Sequence, residues 1–277
     1  MARFQFLTGF QSQFQRVAYT LLMLLLLHRL TAVDAYYGQN PWEVTDWSNS
    51  HATFYGDQTG SITMGGACGY GNLWWRGYGL NTAALSNALF NNGMTCGACF
   101  EIKCDISNCA YSMQWCYPNN PSVIVTATNN CPPNWAKPSD NGGWCNPPRT
   151  HFDLSMVMFQ QMAPTVAGII PVKYRRVPCA RTGGLKFTLD GNPWFNLVLI
   201  WNVAGGGDVA NMQIKGDKTN WYTMSRNWGQ YWECPVNFTG QKLSFMVTLC
   251  NGQVRVVTDL TSQIWYNGQS YEALTNF

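Results

Sequence analysis

The distribution of cysteine most constrains what this chain can fold into. Eleven cysteines occur among 277 residues, and nine of them lie between residues 36 and 182. In an oxidising compartment, this density predicts a disulfide framework that holds short strands and long loops together. Zinc is the alternative, since Cys96-x2-Cys99 and Cys104-x4-Cys109 have ligand-like spacing. No second tight Cys or His pair follows at zinc-finger distance, and His51 and His151 are the histidines beyond residue 35, so we expect no metal. We also expect no other cofactor.

An apolar segment near the N-terminus indicates the compartment. Residues 17–27 are apolar and follow Arg16, and they are fewer than the roughly 20 residues that span a bilayer. Val33-Asp34-Ala35 then offers the small residues that a signal peptidase requires. We therefore expect residues 1–35 to be a secretory signal peptide and the mature chain to be extracellular. An uncleaved membrane anchor is the alternative.

The composition is rich in aromatic residues and poor in charge. Aromatic residues make up 14% of the chain and charged residues 11%, against about 25% charged residues in an average soluble domain. A disordered chain is excluded, because such chains are charged and contain few aromatic residues. The net charge of +3 is not concentrated in a basic run, so we expect no nucleic-acid partner.

Residues 36–182 are predicted to form a domain of short strands and long loops. Apolar runs of β-prone residues predict strands, and apolar residues at helical spacing predict helices. The second helix would begin at an N-cap Asp153 or Ser155 and end before Pro164. The predicted strands are 99–104, 123–128 and 169–177, and the predicted helices are 82–90 and 153–163.

Residues 183–277 are predicted to form an immunoglobulin-like β-sandwich. The polar joint Arg181-Thr182-Gly183-Gly184 marks the boundary between the two domains. Beyond it, apolar runs alternate with turn signals such as Asp190-Gly191 and Asn251-Gly252. Several short strands at regular spacing, with no helical pattern, are typical of a sandwich.

The segment His151-Phe152-Asp153-Leu154-Ser155 is the strongest candidate for chemistry. A carboxyl group beside an aromatic residue can be a desolvated acid with a raised pKa, although the local pattern favours a helix cap. Glycoside hydrolysis needs two carboxylates that face each other. Asp57, after Ala52-Thr53-Phe54-Tyr55-Gly56, is the one plausible partner. A serine hydrolase is disfavoured, because the sequence lacks G-x-S-x-G.

The second domain contains more tryptophan than a sandwich core of its size uses. Trp194 and Phe195 follow the turn Gly191-Asn192-Pro193, and Trp228 lies in a polar segment. Adjacent strand residues face opposite ways, so one of Trp194 and Phe195 should be exposed. Exposed rings in polar surroundings favour stacking on sugar rings; packing at an interface is the alternative. Trp201 lies in an apolar strand and is expected in the core.

Long motifs of this chain resemble those of the alpha-expansins, which are secreted plant cell-wall proteins. The resemblance covers nearly all of the mature chain. The matching motifs include Met64-Gly65-Gly66-Ala67-Cys68-Gly69-Tyr70-Gly71-Asn72, Gly142-Gly143-Trp144-Cys145-Asn146-Pro147-Pro148-Arg149, His151-Phe152-Asp153-Leu154-Ser155 and Met224-Ser225-Arg226-Asn227-Trp228-Gly229-Gln230.

The resemblance implies a mostly-β fold and a function. A six-stranded double-psi β-barrel, like that of certain inverting endoglucanases, would be followed by an immunoglobulin-like sandwich that binds cellulose. The family loosens cell walls without hydrolysis, by disturbing non-covalent contacts between cellulose and matrix glucans. We accordingly expect these glucans as partners of a monomeric chain. An endo-β-glucanase using Asp153 and Asp57, or a purely carbohydrate-binding or wall-structural protein, is the alternative.

The resemblance also implies site residues. Asp153 matches the acid of the related glycosidases, whose catalytic base has no counterpart in the family. Thr53, Tyr55 and Asn129 match other positions that line the groove, and His151 is a further candidate beside Asp153. Trp194 or Phe195 and Trp228 match residues that line the cellulose-binding face, with Trp221 as a third candidate.

The resemblance implies four disulfide bridges: Cys68–Cys96, Cys99–Cys179, Cys104–Cys116 and Cys131–Cys145. Cys109, Cys234 and Cys250 look like additions to the family pattern. A fifth bridge between Cys234 and Cys250 is a hypothesis, and it would leave Cys109 as the unpaired thiol.

Overall fold

The computed structural model of the chain describes residues 44–60, 64–107 and 114–277. The predicted signal peptide and Cys109 lie outside these ranges. Within the described ranges, no helix combines the length and apolar character that crossing a membrane requires.

The first six strands close into a barrel with the order β1-β5-β2-β4-β3-β6. Two of the neighbouring pairs, β1 with β5 and β2 with β4, are parallel, and the other four are antiparallel. This is the six-stranded double-psi barrel that the resemblance implies. The strands are β1 (Ser48–Tyr55), β2 (Thr82–Ser86), β3 (Cys99–Cys104), β4 (Ser122–Cys131), β5 (His151–Ser155) and β6 (Ile170–Val177).

The barrel is filled by alternate residues of its strands. Phe152 packs its ring 5.3 Å from that of Phe100 and 4.9 Å from that of Tyr174. Ala52 on β1 and Leu154 on β5 belong to the same buried cluster. Since strand side chains alternate, the residues between them point away from this core.

Both helices were predicted to begin several residues before the point at which the observed helices begin. Residues 82–86 form β2, and only Asn87–Phe90 is helical (α1). Likewise β5 precedes the short helix Met156–Gln160 (α2). The predictions were wrong because β2 is a central strand buried on both faces, so it shows no alternation that would reveal a strand. Short 3-10 turns occupy Asn91–Gly93 and Thr165–Ala167.

The predicted cap at Asp153 is also wrong. Asp153 lies within β5, and the hydroxyl of Ser155 accepts the hydrogen bond from the backbone N–H of Met158 that caps α2. Of the two predicted caps, Ser155 is the one that the structure uses. The carboxyl group of Asp153 is therefore left for another role.

The remaining strands form two facing antiparallel sheets. One has the order β10-β9-β13-β14 and the other β11-β12-β8-β7-β15. Phe187 and Phe245 stack across the space between them, with ring centroids 4.6 Å apart. The strands are β7 (Lys186–Asn192), β8 (Phe195–Trp201), β9 (Val209–Gly216), β10 (Tyr222–Thr223), β11 (Ser225–Trp228), β12 (Tyr231–Cys234), β13 (Leu243–Leu249), β14 (Val254–Val257) and β15 (Ser270–Glu272).

The sandwich packs directly against the barrel. Leu199 and Trp201, from the outer face of β8, belong to the buried cluster of the barrel. The backbones approach so closely that a Cβ on Gly207 would lie 2.2 Å from the carbonyl oxygen of Gly97. Only glycine fits at these positions. The two parts therefore meet through a tight, glycine-dependent contact.

A buried ion pair joins the same two parts. The guanidinium of Arg176, on β6, donates to both carboxylate oxygens of Asp208 at 3.0 and 2.9 Å. Asp208 is almost fully buried. Removing one partner of a buried pair leaves an uncompensated charge and typically costs about 3–5 kcal/mol.

The structure contains the four bridges that the resemblance implies. The hypothesis of a fifth bridge is wrong, because Cys234 and Cys250 are both free. Cys234 is buried in the sandwich core from β12. Cys250 follows β13 in the other sheet, and its thiol hydrogen-bonds to Asp208 instead. Burial and the negative charge of Asp208 raise the pKa of this thiol to about 11.

Candidate functional site

Parallel pairing of β1 with β5 assembles the site around Asp153. Thr53 lies directly opposite Asp153, and His51 lies opposite His151. These residues alternate with members of the barrel core, so they lie on the outer face of the two strands. Side chains that are about 100 residues apart in the sequence thereby become immediate neighbours.

A chain of hydrogen bonds links three side chains on this face. The hydroxyl of Thr53 donates to Oδ1 of Asp153 at 2.7 Å and lies 2.8 Å from Nε2 of His151. Burial lowers the pKa of His151 to about 3, with further contributions from the nearby His51 and Arg149. His151 is therefore neutral. Because Thr53 donates its proton to Asp153, we assign the tautomer in which Nε2–H of His151 donates to Thr53.

The surroundings of Asp153 favour its protonated form. Burial raises the pKa of this carboxyl group, and the hydrogen bond from Thr53 opposes part of that rise. A protonated carboxyl group keeps an O–H donor, whereas an ionised one only accepts. Asp153 can therefore donate a hydrogen bond at an acidic pH at which an exposed aspartate would already be charged.

Tyr55 lies on β1, next to the strand of Asp153, and Asn129 lies on β4. The register places Ala84 of β2 between Asp153 and Asn129, so the two residues are two strands apart in one row. Oδ1 of Asn129 accepts from the backbone N–H groups of Ala67 and Asn130, which identifies its other amide atom as a donor. Burial raises the pKa of Tyr55.

Asp57, the predicted partner of Asp153, has a local structural role. Its Oδ1 accepts from the backbone N–H and the hydroxyl of Thr59, in the turn that follows β1. The pKa of Asp153 responds to burial and to Thr53, and Asp57 does not contribute.

In the described parts of the chain, no cluster of three or more His, Cys, Asp or Glu side chains is arranged to hold a metal ion.

Aromatic side chains occupy the outer face of the five-stranded sheet. Val198 and Ile200 point into the sandwich core, so Phe195 lies on the opposite face of β8. Trp228 stacks on Tyr231 at 5.1 Å, and Tyr231 belongs to the same outer face. Phe195 is 38% exposed and Trp228 47% exposed.

Trp194 directly precedes Phe195, in the turn between β7 and β8. Its backbone N–H donates to Oδ1 of Asn192, and 69% of the residue is exposed. We call Trp194, Phe195 and Trp228 the aromatic face. Trp201 is buried, as expected, beneath the guanidinium of Arg76.

The structure separates Trp221 from the aromatic face. This residue precedes β10, which belongs to the other sheet, and Nζ of Lys215 lies 5.2 Å from the centre of its ring. Lys215 alternates with the core residue Ile214 on β9, so the pair lies on the outer side of the four-stranded sheet. Trp221 does not line the same surface as Trp228.

Sequence reasoning missed a second aromatic group, at Trp74 and Trp75. Both residues are exposed, in a loop that Arg76 attaches to the sandwich. Arg76 donates to the carbonyl oxygen of Tyr70 and to the hydroxyl of Thr188 on β7. Two adjacent tryptophans between asparagine and glycine residues were the available signal, because apolar rings in a polar loop are seldom buried.

Comparisons with known proteins agree with this architecture. The family model described as "Lytic transglycolase" matches residues 82–174, and the expansin C-terminal domain matches residues 185–261. Expansin-A23 of Arabidopsis thaliana is 52% identical over 233 residues, which are 84% of this chain and 82% of the relative. The chain belongs to the alpha-expansins. Expansin-A7 of Arabidopsis thaliana is 49% identical, over 88% of this chain and 89% of the relative.

A further relative and two solved structures are also similar to this chain. Putative expansin-A30 of Oryza sativa subsp. japonica is 50% identical, over 89% of this chain and 90% of its own length. The crystal structure of an expansin from Clavibacter michiganensis matches with a TM-score of 0.62 at 18% identity, over 83% of this chain and 98% of that one. A mutant of that bacterial expansin, in complex with cellohexaose, matches equally well. At this identity, the match supports the shared fold.

The raised pKa of Asp153 predicts how pH affects the stability of an Asp153→Asn variant. The folded protein holds the Asp153 proton to higher pH than the unfolded chain does. The stability that this proton contributes is present below the unfolded pKa and is lost as pH rises through the folded pKa. Asparagine is neutral at every pH, so the stability of the variant does not decline in this way as pH rises.

The free energy of unfolding of Asp153→Asn, minus that of the unsubstituted protein, should therefore increase as pH rises from about 4 to about 7. Urea unfolding at several pH values measures this difference. A difference that stays constant with pH would contradict the assignment of a raised pKa to Asp153.

Proposed function

We propose that this chain is a secreted protein that loosens plant cell walls, by disturbing non-covalent contacts between cellulose and matrix glucans without hydrolysing them. The observation that carries this proposal is the single buried acid of the site. Asp153 is held by Thr53 and His151, in a chain of the alpha-expansin family. This chain covers 82% to 90% of the lengths of the relatives described above, so the proposal concerns the barrel and the sandwich together.

The arrangement around Asp153 supports binding better than bond cleavage. An inverting glycosidase needs an acid and a second carboxylate, about 6.5–9.5 Å away, to activate water. The hydrogen-bond partners of Asp153 are instead the neutral Thr53 and, through it, the neutral His151. A protonated Asp153 can donate to a glucan hydroxyl or ring oxygen and compete with the hydrogen bonds between wall polymers. No water molecule needs to be activated.

The aromatic face supports binding of cellulose. Cellulose presents flat, apolar ring faces, and rigid aromatic side chains match them with little loss of conformational entropy. Phe195, Trp228 and the neighbouring Trp194 are exposed. The bacterial expansin with the same fold has been solved in complex with cellohexaose. We propose that the aromatic face holds the chain on cellulose while the Asp153 site engages a glucan.

The remaining expectations belong to this proposal. We infer that residues 1–35 direct secretion, that the mature chain is a monomer in the cell wall, and that residues 36–182 and 183–277 are its two domains. The last barrel strand ends at Val177 and the first sandwich strand begins at Lys186. These bounds leave the proposed boundary in the connection between them.

Replacing Asp153 tests the proposed acid. Asp153→Asn keeps the shape and an N–H donor but lacks the proton that the acid gains at low pH. We expect most of the wall-loosening activity to be lost, together with its decline towards neutral pH. Creep of heat-inactivated plant walls under constant load, measured across a range of acidic pH, provides the readout.

Asp140→Asn is the matched control, because it makes the same chemical change in an exposed turn, and it should retain full creep. If Asp153→Asn loosened walls as well as the control did, the proposed role of Asp153 would be wrong. Circular dichroism of both variants separates a loss of activity from a loss of fold.

Replacing aromatic residues tests the proposed cellulose contact. Burying an aromatic ring contributes about 1.5–3 kcal/mol, so Trp194→Ala and Trp228→Ala should each weaken binding about tenfold or more. Trp221→Ala is the matched control, since it removes the same side chain from the other sheet, and its binding should stay within about twofold of the original. Depletion of soluble protein by crystalline cellulose measures the affinity. Equal losses from all three variants would contradict the assigned face.

A further inference from the structure

A polar pocket of about 620 Å³ lies where β1 and β5 begin, beside the Asp153 site. Its volume is within the range of about 300–1,000 Å³ that is usual for small-molecule sites, and it can accommodate a sugar unit. The pocket is connected to the Asp153 site through His51, which lies opposite His151 in the strand register. The residues that line it include Asn49, His51, Ser139, Arg149 and Thr150.

Arg149 brings a positive charge to this pocket without an acidic partner. Among the described residues, no carboxylate lies within ion-pair distance of its guanidinium, and its Nη1 makes no hydrogen bond. The guanidinium lies 5.5 Å from the centre of the Trp144 ring. A partly buried cation in this state is stabilised by an anion.

The other groups of the pocket are either neutral or already paired. Burial and the charge of Arg149 lower the pKa of His51, which favours its neutral imidazole, and its Nδ1 has no hydrogen-bond partner. Asp105 also lines the pocket, but its Oδ1 accepts from Ser107 and lies 3.4 Å from Nζ of Lys173. The negative charge of Asp105 is therefore balanced by Lys173 and not by Arg149.

This combination matches one class of ligand. A uronate unit has one carboxylate, which an arginine recognises, and several hydroxyl groups, which hydroxyl, amide and imidazole side chains recognise. We propose that this pocket binds a carboxylate-bearing sugar unit of an acidic wall polysaccharide, with Arg149 pairing with the carboxylate. Asn49, His51 and Thr150 supply polar contacts to the hydroxyl groups. The pocket then adds an acidic-sugar subsite to the end of the Asp153 site.

Binding of a defined oligomer tests this subsite without a wall-loosening assay. Isothermal titration of the full protein with trigalacturonate, at low salt and mildly acidic pH, should show saturable binding. The methyl-esterified trimer and cellotriose should bind much more weakly, because neither has a carboxylate. Acetate at equal concentration should not compete, because it lacks the hydroxyl groups.

Two variants and a control locate the binding. Arg149→Gln should weaken trigalacturonate binding about tenfold or more, since a charged hydrogen bond contributes about 1.5–3 kcal/mol. Ser139→Trp fills the pocket from an exposed wall position and should have a similar effect while leaving Arg149 in place. Lys218→Gln removes the same charge from an exposed position on the sandwich, and its affinity should stay within about twofold.

Several outcomes would overturn the subsite. Equal binding of the esterified trimer would show that the carboxylate is not recognised. Competition by acetate, or equal losses from Arg149→Gln and Lys218→Gln, would indicate general attraction of anions. Thermal unfolding of each variant identifies any loss of fold, and Ser139→Trp decides the matter if Arg149→Gln does not fold. Because the readout is oligomer binding, failure of the proposed wall-loosening function would leave this result unchanged, and the reverse also holds.

Discussion

The parallel pairing of β1 with β5 is the constraint on which the candidate site depends. It brings Thr53 to within hydrogen-bond distance of Asp153 across a separation of 100 residues. Strand side chains alternate with a period of two, so a slip by one residue would turn Thr53 into the barrel core. Ala52 and Phe152, which are fully buried on the other side of the same strands, prevent this slip. Hydrophobic packing inside the barrel therefore fixes the geometry of the polar site outside it.

The contact between barrel and sandwich determines how the aromatic face is presented. Trp228 lies against the barrel as well as on its own sheet, because a Cβ added to Gly69 would lie 3.2 Å from its ring. Arg76 ties the loop that carries Trp74 and Trp75 to β7 through Thr188. The ion pair between Arg176 and Asp208 adds a buried polar contact to the same interface. A surface built from both parts suits an extended polymer, which no single pocket can enclose.

Much of the fold was predictable from the sequence, and the exceptions have identifiable physical causes. The strand at Cys99–Cys104 was predicted from an apolar β-prone run, and the sandwich as a fold class was predicted from apolar runs and turn signals. The residues of β2 were mistaken for a helix because their burial on both faces removes the alternation that marks a strand. A local pattern cannot show that a segment will lie at the centre of a barrel.

The candidate site was less predictable, because it depends on pairing between distant segments. The family resemblance indicated Asp153, Thr53 and Asn129, but the hydrogen bond from Thr53 required the strand register. Trp221 and Trp228 are both tryptophans in polar segments, and only the sheet order separates them onto different surfaces. Arg149 lies in a family motif, yet its lack of an acidic partner is a property of the folded chain.

The central claim is that this protein loosens walls by binding and not by cleavage. Extension of an isolated wall under load, with reducing sugar ends counted in the same sample, tests it most directly. We predict creep at acidic pH with no more reducing ends than a heat-inactivated sample releases. Release of reducing ends in proportion to the extension would contradict the claim.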